Sequence, residues 1–387
     1  MKICNFRPMV CLALVVVIAI CATKISLWCT AIVAVGIFLV LWFAKVPSQF
    51  KIVAMVLYAA AVFSFIITTC CVANPYWRTY HPNDGLRGII LRYVRWYLPM
   101  FLSKENADIV YTMMFGDKSV LTVGLRSDFS ASGLAHMLAV SGMHVGLLFG
   151  VFERLLHLCR VPRRAHFWII APVLLFYAYL CGWQYAIMRA VIMCLVYAIA
   201  KRHLTVADSL SVLSLAAIVI LIIYPYALFS ASFLLSFSCV VGIYFWYQAV
   251  YRVIAAKAVA VYVAVTLGSL PFVIYFFGAV PVFGIVANVI LVPMLVLSFY
   301  CGMFAIGTFV CGAVLWIAEP LLNFVRWVIT AIGNLPWATI TVHHNLFAVL
   351  IYLLGSLILS RFIFLKPRIK YPLVAVLFTC YLVLLVV

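Results

Sequence analysis

The chain has 387 residues, of which 69% are hydrophobic and only 9% are charged. A soluble domain is about 45–50% apolar and about 25% charged, so this composition excludes one and indicates a polytopic membrane protein. The formal net charge is +18. It would suggest nucleic-acid binding in a soluble protein, but in a membrane protein much of it reflects the enrichment of Lys and Arg in cytoplasmic loops.

The apolar stretches predict an all-α transmembrane helical bundle of roughly ten spans, with broken or re-entrant helices and interfacial helices. A β-barrel is disfavoured because the runs lack period-2 alternation. The candidate spans, in chain order, are Met9–Ala22, Ile25–Ala44, Ile52–Ala73, Val145–Cys159, Phe167–Gly182, Ala186–Ala200, Val206–Ile223, Leu228–Trp246, Ala258–Phe277, Phe283–Phe299, Gly302–Ala318, Leu346–Phe364 and Leu373–Val387.

Basic clusters orient this bundle, because cytoplasmic loops favour Lys and Arg. Four basic junctions are separated by even numbers of spans, so all four can be cytoplasmic: Arg160 with Arg163 and Arg164, Lys201 with Arg202, Arg252 with Lys257, and Lys366 with Arg368 and Lys370. The chain then divides into N-terminal transmembrane helices (1–73), an extracytoplasmic basic-aromatic linker with interfacial helices (74–128), a channel-type domain (129–364), and a C-terminal basic loop with a last helix (365–387).

The external linker is basic, although Lys and Arg are usually enriched in cytoplasmic loops. It carries Arg87, Arg92 and Arg95 together with aromatic residues such as Trp96. One interpretation is an interfacial helix whose arginines meet lipid phosphates. The other is a landing surface for a polyanion, in which guanidinium groups bind phosphates and rings stack on bases.

The stretch Ser130–Gly150 is the most informative, because a small, apolar helix is predicted to break at Ser141-Gly142. Gly142, Gly146 and Gly150, preceded by Gly133, favour close helix packing. A break lined by polar groups is typical of a re-entrant element beside a water-filled path.

His136, Ser141 and His144 in this stretch raise the question of catalysis. No G-x-S-x-G elbow, neighbouring carboxylate or H-E-x-x-H motif accompanies them. We therefore predict no catalytic residues, no metal site, no cofactor and no enzymatic activity.

Polar residues inside other apolar spans indicate an interior path. Arg189 lies three residues into an uncharged span, where an arginine is costly and usually faces a cavity or a partner; snorkelling to the interface is the alternative. Ser236 and Asn288 are weaker candidates. Helix breaks are predicted at Gly268-Ser269 with Pro271 and at Gly278 with Pro281 and Gly284, and an amphipathic helix over Pro320–Trp337 on the outer face.

At these residues the chain resembles the membrane-embedded domain of ComEC-type competence proteins. Met114–Ser119 is similar to the family's L-L-G-D-R-S, and Gly133–Gly146 to its G-L-x-H-L-L-A-I-S-G-L-H-V-G. Arg189-Ala190, Phe276-Phe277-Gly278, Ala287-Asn288 and Val292-Pro293 match further family positions, so that the resemblance covers roughly residues 108–310.

The resemblance implies a conducting channel for single-stranded DNA in the bacterial cytoplasmic (inner) membrane during natural transformation. It implies a DNA path along His136, Ser141, Gly142, His144, Arg189, Ser236 and Asn288, with Arg87, Arg92, Arg95 and Trp96 as an external DNA-collecting surface. The implied partners are single-stranded DNA, membrane lipids, an extracytoplasmic DNA receptor, and a cytoplasmic helicase-type motor or single-strand-binding protein. A homodimer is left open.

Two departures from the family pattern qualify this expectation. About fifty residues separate Ala73 from Val123, too few for the family's oligonucleotide-binding-type barrel, and we expect neither that domain nor a metallo-β-lactamase-like one. The family's F-Q-L-S-F reads Phe233-Leu234-Leu235-Ser236-Phe237. The alternatives are a transporter or flippase for a lipid-linked or small anionic substrate, and an intramembrane hydrolase using Ser141 and His144.

Overall fold

The computed structural model describes residues 8–43, 47–72, 85–202, 208–308, 312–342 and 346–359, together with 376, 377 and 381. Within these ranges the chain forms fifteen α-helices and one short two-stranded antiparallel sheet, which confirms the predicted all-α membrane bundle. Six of the described helices have the length and composition needed to cross a bilayer, and five further apolar helices are shorter. The protein is therefore a multi-pass membrane protein. Most of the predicted last segment, 365–387, lies outside the described residues.

The chain folds into two compact units that interleave along the sequence. One contains residues 1–84 and 142–234, and the other contains residues 85–141 and 235–387. The predicted channel-type segment 129–364 thus contributes to both units, with boundaries after Ser141 and after Leu234.

The first unit holds seven helices, which begin and end close to the predicted spans. They are α1 (Pro8–Ile25), α2 (Leu27–Phe43), α3 (Ser48–Val72), α7 (Gly142–Leu158), α8 (Arg163–Leu180), α9 (Tyr185–Arg202) and α10 (Ser209–Ile223).

Small residues let the helices of the first unit approach closely. Helix α1 packs against α3 and α10 through buried alanines, including Ala19, Ala61 and Ala216. Lipid tails are as apolar as the helices, so packing and hydrogen bonds hold such helices together rather than hydrophobic burial. One such hydrogen bond joins the Ser64 hydroxyl of α3 to the carbonyl of Ile222 in α10.

The second unit holds the other eight helices and the two-stranded sheet. They are α4 (Leu86–Tyr97), α5 (Lys104–Phe115), α6 (Val123–Ala131), α11 (Ala231–Ile254, from Leu235 onward), α12 (Lys257–Phe277), β1 (Ala279–Pro281), α13 (Gly284–Thr308), α14 (Leu315–Gly333), β2 (Thr339–Thr341) and α15 (Leu346–Leu359). β1 and β2 pair antiparallel, with Val280 opposite Ile340.

Helix α5 is the buried centre of the second unit, although the sequence places it in the external linker. Residues 109–115 are all buried, and α5 packs against α4, α13 and α14. Polar contacts hold its N-terminal end on α14: the Asn106 amide donates to Asn323 at 2.7 Å, and Glu105 forms an ion pair with Arg326. The amphipathic helix predicted over Pro320–Trp337 overlaps α14, which belongs to one of the six candidate membrane spans, and its polar residues Asn323 and Arg326 contact α5.

Two predicted interruptions are wrong. Helix α12 runs unbroken through Gly268 and Pro271. Pro271 has no N–H, so the carbonyl of Leu267 one turn earlier loses its helical donor, and the Tyr352 hydroxyl of α15 donates to that carbonyl at 2.7 Å.

The predicted interruption between the spans Phe283–Phe299 and Gly302–Ala318 is likewise wrong, because α13 continues from Gly284 to Thr308. Gly302 does not end this helix. Its missing side chain makes room for α5, since a Cβ there would lie 2.7 Å from Val110 Cγ1. A real break does occur where predicted at Gly278, whose left-handed backbone (φ +61°) ends α12 before β1.

Candidate functional site

The predicted break in the central motif is a non-helical loop over residues 132–141 in the second unit. Helix α6 ends before it in a glycine cap: Gly133 is left-handed (φ +75°), and the N–H of Leu134 donates to the carbonyl of Phe129. Four apolar side chains of the loop are buried: Leu134, Met137, Leu138 and Val140. The loop is therefore a packed part of the unit, and it is longer than the break predicted at Ser141-Gly142.

Gly133 brings the loop against the start of α13. A Cβ on Gly133 would lie 2.8 Å from Gly284 Cα and 3.0 Å from Pro281 Cγ, so only glycine fits this contact. The left-handed backbone also favours glycine. This position fixes the loop next to strand β1.

His136 is the one predicted path residue of this loop whose side chain is exposed. Its Nδ1 lies 3.2 Å from the carbonyl oxygen of Gly133. Surrounding protein atoms lower the pKa of the imidazole, and the hydrogen bond to Gly133 opposes that shift. Ser141, the last residue of the loop, is half-buried.

In the first unit, Arg189 of α9 lies against the start of α7. The arginine is 8% exposed, and a Cβ on Gly142 would overlap its Nη2. Arg189 Nη1 also lies 3.6 Å from the sulfur of Met193. Gly142 is the first residue of α7, so the guanidinium group sits at the N-terminal end of a 17-residue helix. His144, in the same first turn, is fully buried.

The glycines predicted for helix packing differ in their surroundings. Gly133 and Gly142 have close neighbours, whereas a Cβ on Gly146 or Gly150 would have no heavy atom within 4 Å. Both of these residues lie on the exposed side of α7. Among the three glycines of α7, only Gly142 therefore has a close neighbour among the described residues.

The two weaker path candidates lie on helices of the second unit. Ser236 is half-buried in α11. Asn288 is half-buried in α13, where its amide donates to the carbonyl of Gly284 at 2.6 Å, while its Oδ1 is buried without a hydrogen-bond partner among the described residues. The close approach of α11 to α12 occurs at another residue pair, Gly242 and Gly268, where a Cβ on Gly242 would lie 2.6 Å from Gly268 Cα.

The external basic surface predicted from the sequence lies on helix α4. Arg92, Arg95 and Trp96 are exposed, Arg87 is half-buried, and Leu91 and Val94 face the unit interior. Trp96 is 62% exposed and its ring contacts Tyr93 at 6.0 Å. Arginines and an open aromatic ring thus share one face of this helix.

Arg95 differs from Arg92 in having a carboxylate nearby. Burial raises the pKa of Asp108 on α5, and the positive charges of Arg95 and Lys104 oppose that rise. The positive charge of Arg95 therefore interacts with the carboxyl group of Asp108. Arg92 and Arg95 are both exposed on this face.

The sequence analysis missed a group of aromatic residues at the start of α9 and the end of α10. The rings of Tyr185 and Tyr224 lie 6.0 Å apart at an angle of 57°. Trp183, in the turn before α9, is 42% exposed. The signal that could have found them is the spacing of Tyr185 and Arg189, since residues four apart share one helix face.

The structure therefore groups the predicted residues by unit. Gly142, His144 and Arg189 come together in the first unit, and Gly133 and His136 lie beside the start of α13 in the second. Asn288 sits one turn after Gly284, the residue that Gly133 contacts.

Comparison with known proteins identifies the class to which this membrane bundle belongs. The family model described as competence protein matches residues 113–368, which include the loop, Arg189 and Asn288. The match covers more than half of the chain, so the protein belongs to the competence protein family.

Individual relatives agree with this assignment. The chain is 28% identical over 197 residues to ComE operon protein 3 of Bacillus subtilis (strain 168), which covers 50% of this chain and 25% of that protein. It is 32% identical over 107 residues to competence protein ComA of Neisseria gonorrhoeae, covering 26% of this chain and 16% of the relative. An uncharacterized protein of Aquifex aeolicus (strain VF5) is 29% identical over 184 residues, covering 47% and 42%. The chain thus spans less than half the length of each of these relatives, and no solved structure matches it.

Proposed function

We propose that this protein forms a conducting channel for single-stranded DNA in the bacterial cytoplasmic membrane and acts in DNA uptake. Membership of the competence protein family supports the role in uptake. The observation that carries the channel is the guanidinium group of Arg189 at the first turn of α7, inside a unit built of apolar helices.

This arrangement suits the phosphate of a passing strand. The first N–H groups of a helix have no partner within the helix, and the helix dipole makes that end positive. A guanidinium group carries five N–H donors and no acceptor. Donors from both sources converge at Gly142, and a phosphate oxygen is the acceptor complementary to them.

The charge balance of the chain supports an anionic substrate. Eight Asp and Glu stand against 26 Lys and Arg, whereas proton and cation pathways rely on intramembrane carboxylates. We assign Arg87, Arg92, Arg95 and Trp96 on α4 to collecting the strand before it enters, because cations bind its phosphates and rings stack on its bases. His136, Ser141, His144, Ser236 and Asn288 remain the proposed further path residues.

Transport inward needs a partner, and no catalytic step is assigned to this chain. Moving one phosphate against an inside-negative potential costs about 2.3 kcal/mol per 100 mV, and the sequence contains no G-x-x-x-x-G-K-[ST] phosphate-binding loop. We propose a cytoplasmic helicase-type motor or single-strand-binding protein as the source of the pull, and an extracytoplasmic receptor that delivers DNA.

The test is uptake of labelled DNA in a deletion strain complemented with the full chain. Arg189→Gln, which removes the charge, should reduce cytoplasmic label at least tenfold, whereas Arg189→Lys should retain part of the activity. Arg163→Gln is the matched control, because Arg163 is exposed and lies at a predicted cytoplasmic junction. Membrane immunoblots check that all variants accumulate equally.

Wild-type uptake by stably inserted Arg189→Gln would remove this residue from the DNA path. Failure of the wild-type chain to restore uptake would overturn the DNA function itself. Selective binding of an anionic lipid headgroup, lost in Arg189→Gln, would then move the assignment to a transporter of lipid-linked or small anionic substrates.

A further inference from the structure

A pair of tyrosines marks one end of the first unit. Tyr185 is the first residue of α9, and Tyr224 directly follows α10. Their rings lie 6.0 Å apart and are tilted by 57°, and Tyr224 is 42% exposed. The pair therefore presents open ring surface instead of closing on itself in a parallel stack.

Tyr185 of this pair lies one helical turn before Arg189 in α9. Tyr185 and Arg189 are four residues apart in α9, so they occupy the same helix face about 6 Å apart along the axis. Arg189 on this face meets α7 at Gly142. The Tyr185 ring is thus on the side of α9 that leads to the proposed phosphate contact.

Neighbouring residues add ring surface and charge. Trp183 is 42% exposed and is held in the left-handed region (φ +54°), which non-glycine residues seldom adopt. Lys24 at the end of α1 lies 3.5 Å over the ring of Phe229, five residues after Tyr224. Tyr226 is 38% exposed, but its ring stacks on Phe65 and its hydroxyl lies 2.7 Å from that of Thr69.

We infer that Tyr185 and Tyr224 form a nucleobase-stacking site that receives unpaired bases one helical turn before their phosphates reach Arg189. The inference rests on the proposed function and adds the ligand chemistry of its entry. Phosphate contacts alone cannot tell a nucleic acid from another polyanion. Aromatic rings can make this distinction, because every base has a π-face that stacks on them without regard to sequence.

The geometry favours bases over lipid as the occupant of these rings. Tyrosines that anchor a protein in the headgroup region belong to an outward-facing aromatic belt. Tyr185 instead shares its helix face with a buried arginine that packs against α7. A single strand offers both phosphates, which bind cations, and bases, which stack on open rings.

The experiment measures binding of two probes to the full chain in lipid nanodiscs. One probe is a labelled thymidine 12-mer, and the other is an abasic 12-mer with the same number of phosphates. We expect the wild type to bind the thymidine strand about five- to a hundredfold more tightly, as expected when one base stacks. Tyr185→Leu with Tyr224→Leu should abolish that preference and leave abasic binding unchanged.

Matched variants separate stacking from folding. Tyr251→Leu, an exposed tyrosine near the end of α11, should behave as the wild type. Tyr185→Phe with Tyr224→Phe keeps both rings and should keep the preference. If Leu and Phe variants lose it equally, the hydroxyls and not the rings matter, and the inference is overturned.

The remaining outcomes distinguish this inference from the proposed function. A wild type that binds both probes equally, with both affinities lowered by Arg189→Gln, overturns the stacking site and leaves the phosphate contact standing. A wild type that binds neither probe overturns both. Loss of nanodisc insertion in the Leu variants, with the preference intact in the inserted fraction, would assign the rings to lipid and overturn the inference.

Discussion

The guanidinium group of Arg189 lies so close to Gly142, the first residue of α7, that a Cβ there would overlap Nη2 unless the guanidinium group moved. The contact joins α9 to α7 within one unit and aims a buried charge at the start of a helix. The glycine at position 142 therefore makes room for the guanidinium group of Arg189. Its spacing from Gly146 and Gly150 does not indicate this role.

Gly142→Ala should impair the protein almost as much as Arg189→Gln. The new methyl group would overlap Nη2, so the guanidinium group must move away from the first turn of α7. We expect at least a tenfold loss of labelled DNA uptake. Gly146→Ala is the control, because a Cβ there meets no heavy atom within 4 Å. Equal uptake by the two alanine variants would show that the position of the guanidinium group is unimportant.

Arg92→Gln should weaken the salt dependence of DNA binding. For single strands the slope of log K against log salt concentration is about −0.7 for each phosphate neutralised. Loss of this exposed cation should therefore reduce the slope by about 0.7, measured by titrating a labelled thymidine strand at several salt concentrations. Arg252→Gln, an exposed charge at the end of α11, should leave it unchanged. An unaltered slope in Arg92→Gln would remove α4 from the collecting surface.

Tyr352→Phe should destabilise the protein by about 1 kcal/mol. The change removes the donor to the carbonyl of Leu267, and an unpaired carbonyl in apolar surroundings costs about 1–3 kcal/mol. Thermal unfolding of the detergent-solubilised chain measures the loss. Pro271→Ala supplies a backbone N–H to that carbonyl, so on this background Tyr352→Phe should be nearly neutral. The same loss on both backgrounds would mean that the hydroxyl acts elsewhere.

Sequence patterns predicted most helices correctly, because the lipid around them restricts which backbone structures are possible. In lipid every backbone group must be paired internally, so a long apolar run has to be a helix. The predictions failed at Pro271 and Gly302, which are local helix breakers. There the Tyr352 hydroxyl and the packing of Val110 compensate, and neither is adjacent in sequence.

The candidate site was likewise predicted only in part from the sequence. Arg189 is visible in the sequence, because a charge inside an apolar span is costly and marks a function. Its contact with Gly142 and the neighbouring pair Tyr185 and Tyr224 are not visible, since they depend on which helices pack together.

The sequence by itself determined that this is a multi-pass helical membrane protein of the competence family, because composition and an ordered motif are properties of the chain alone. Only the tertiary structure decided that α5 is a buried core helix and that 132–141 is a packed loop. It also decided that Arg189 meets the start of α7. Each of these depends on contacts between residues far apart in the chain, and local periodicity carries no information about them.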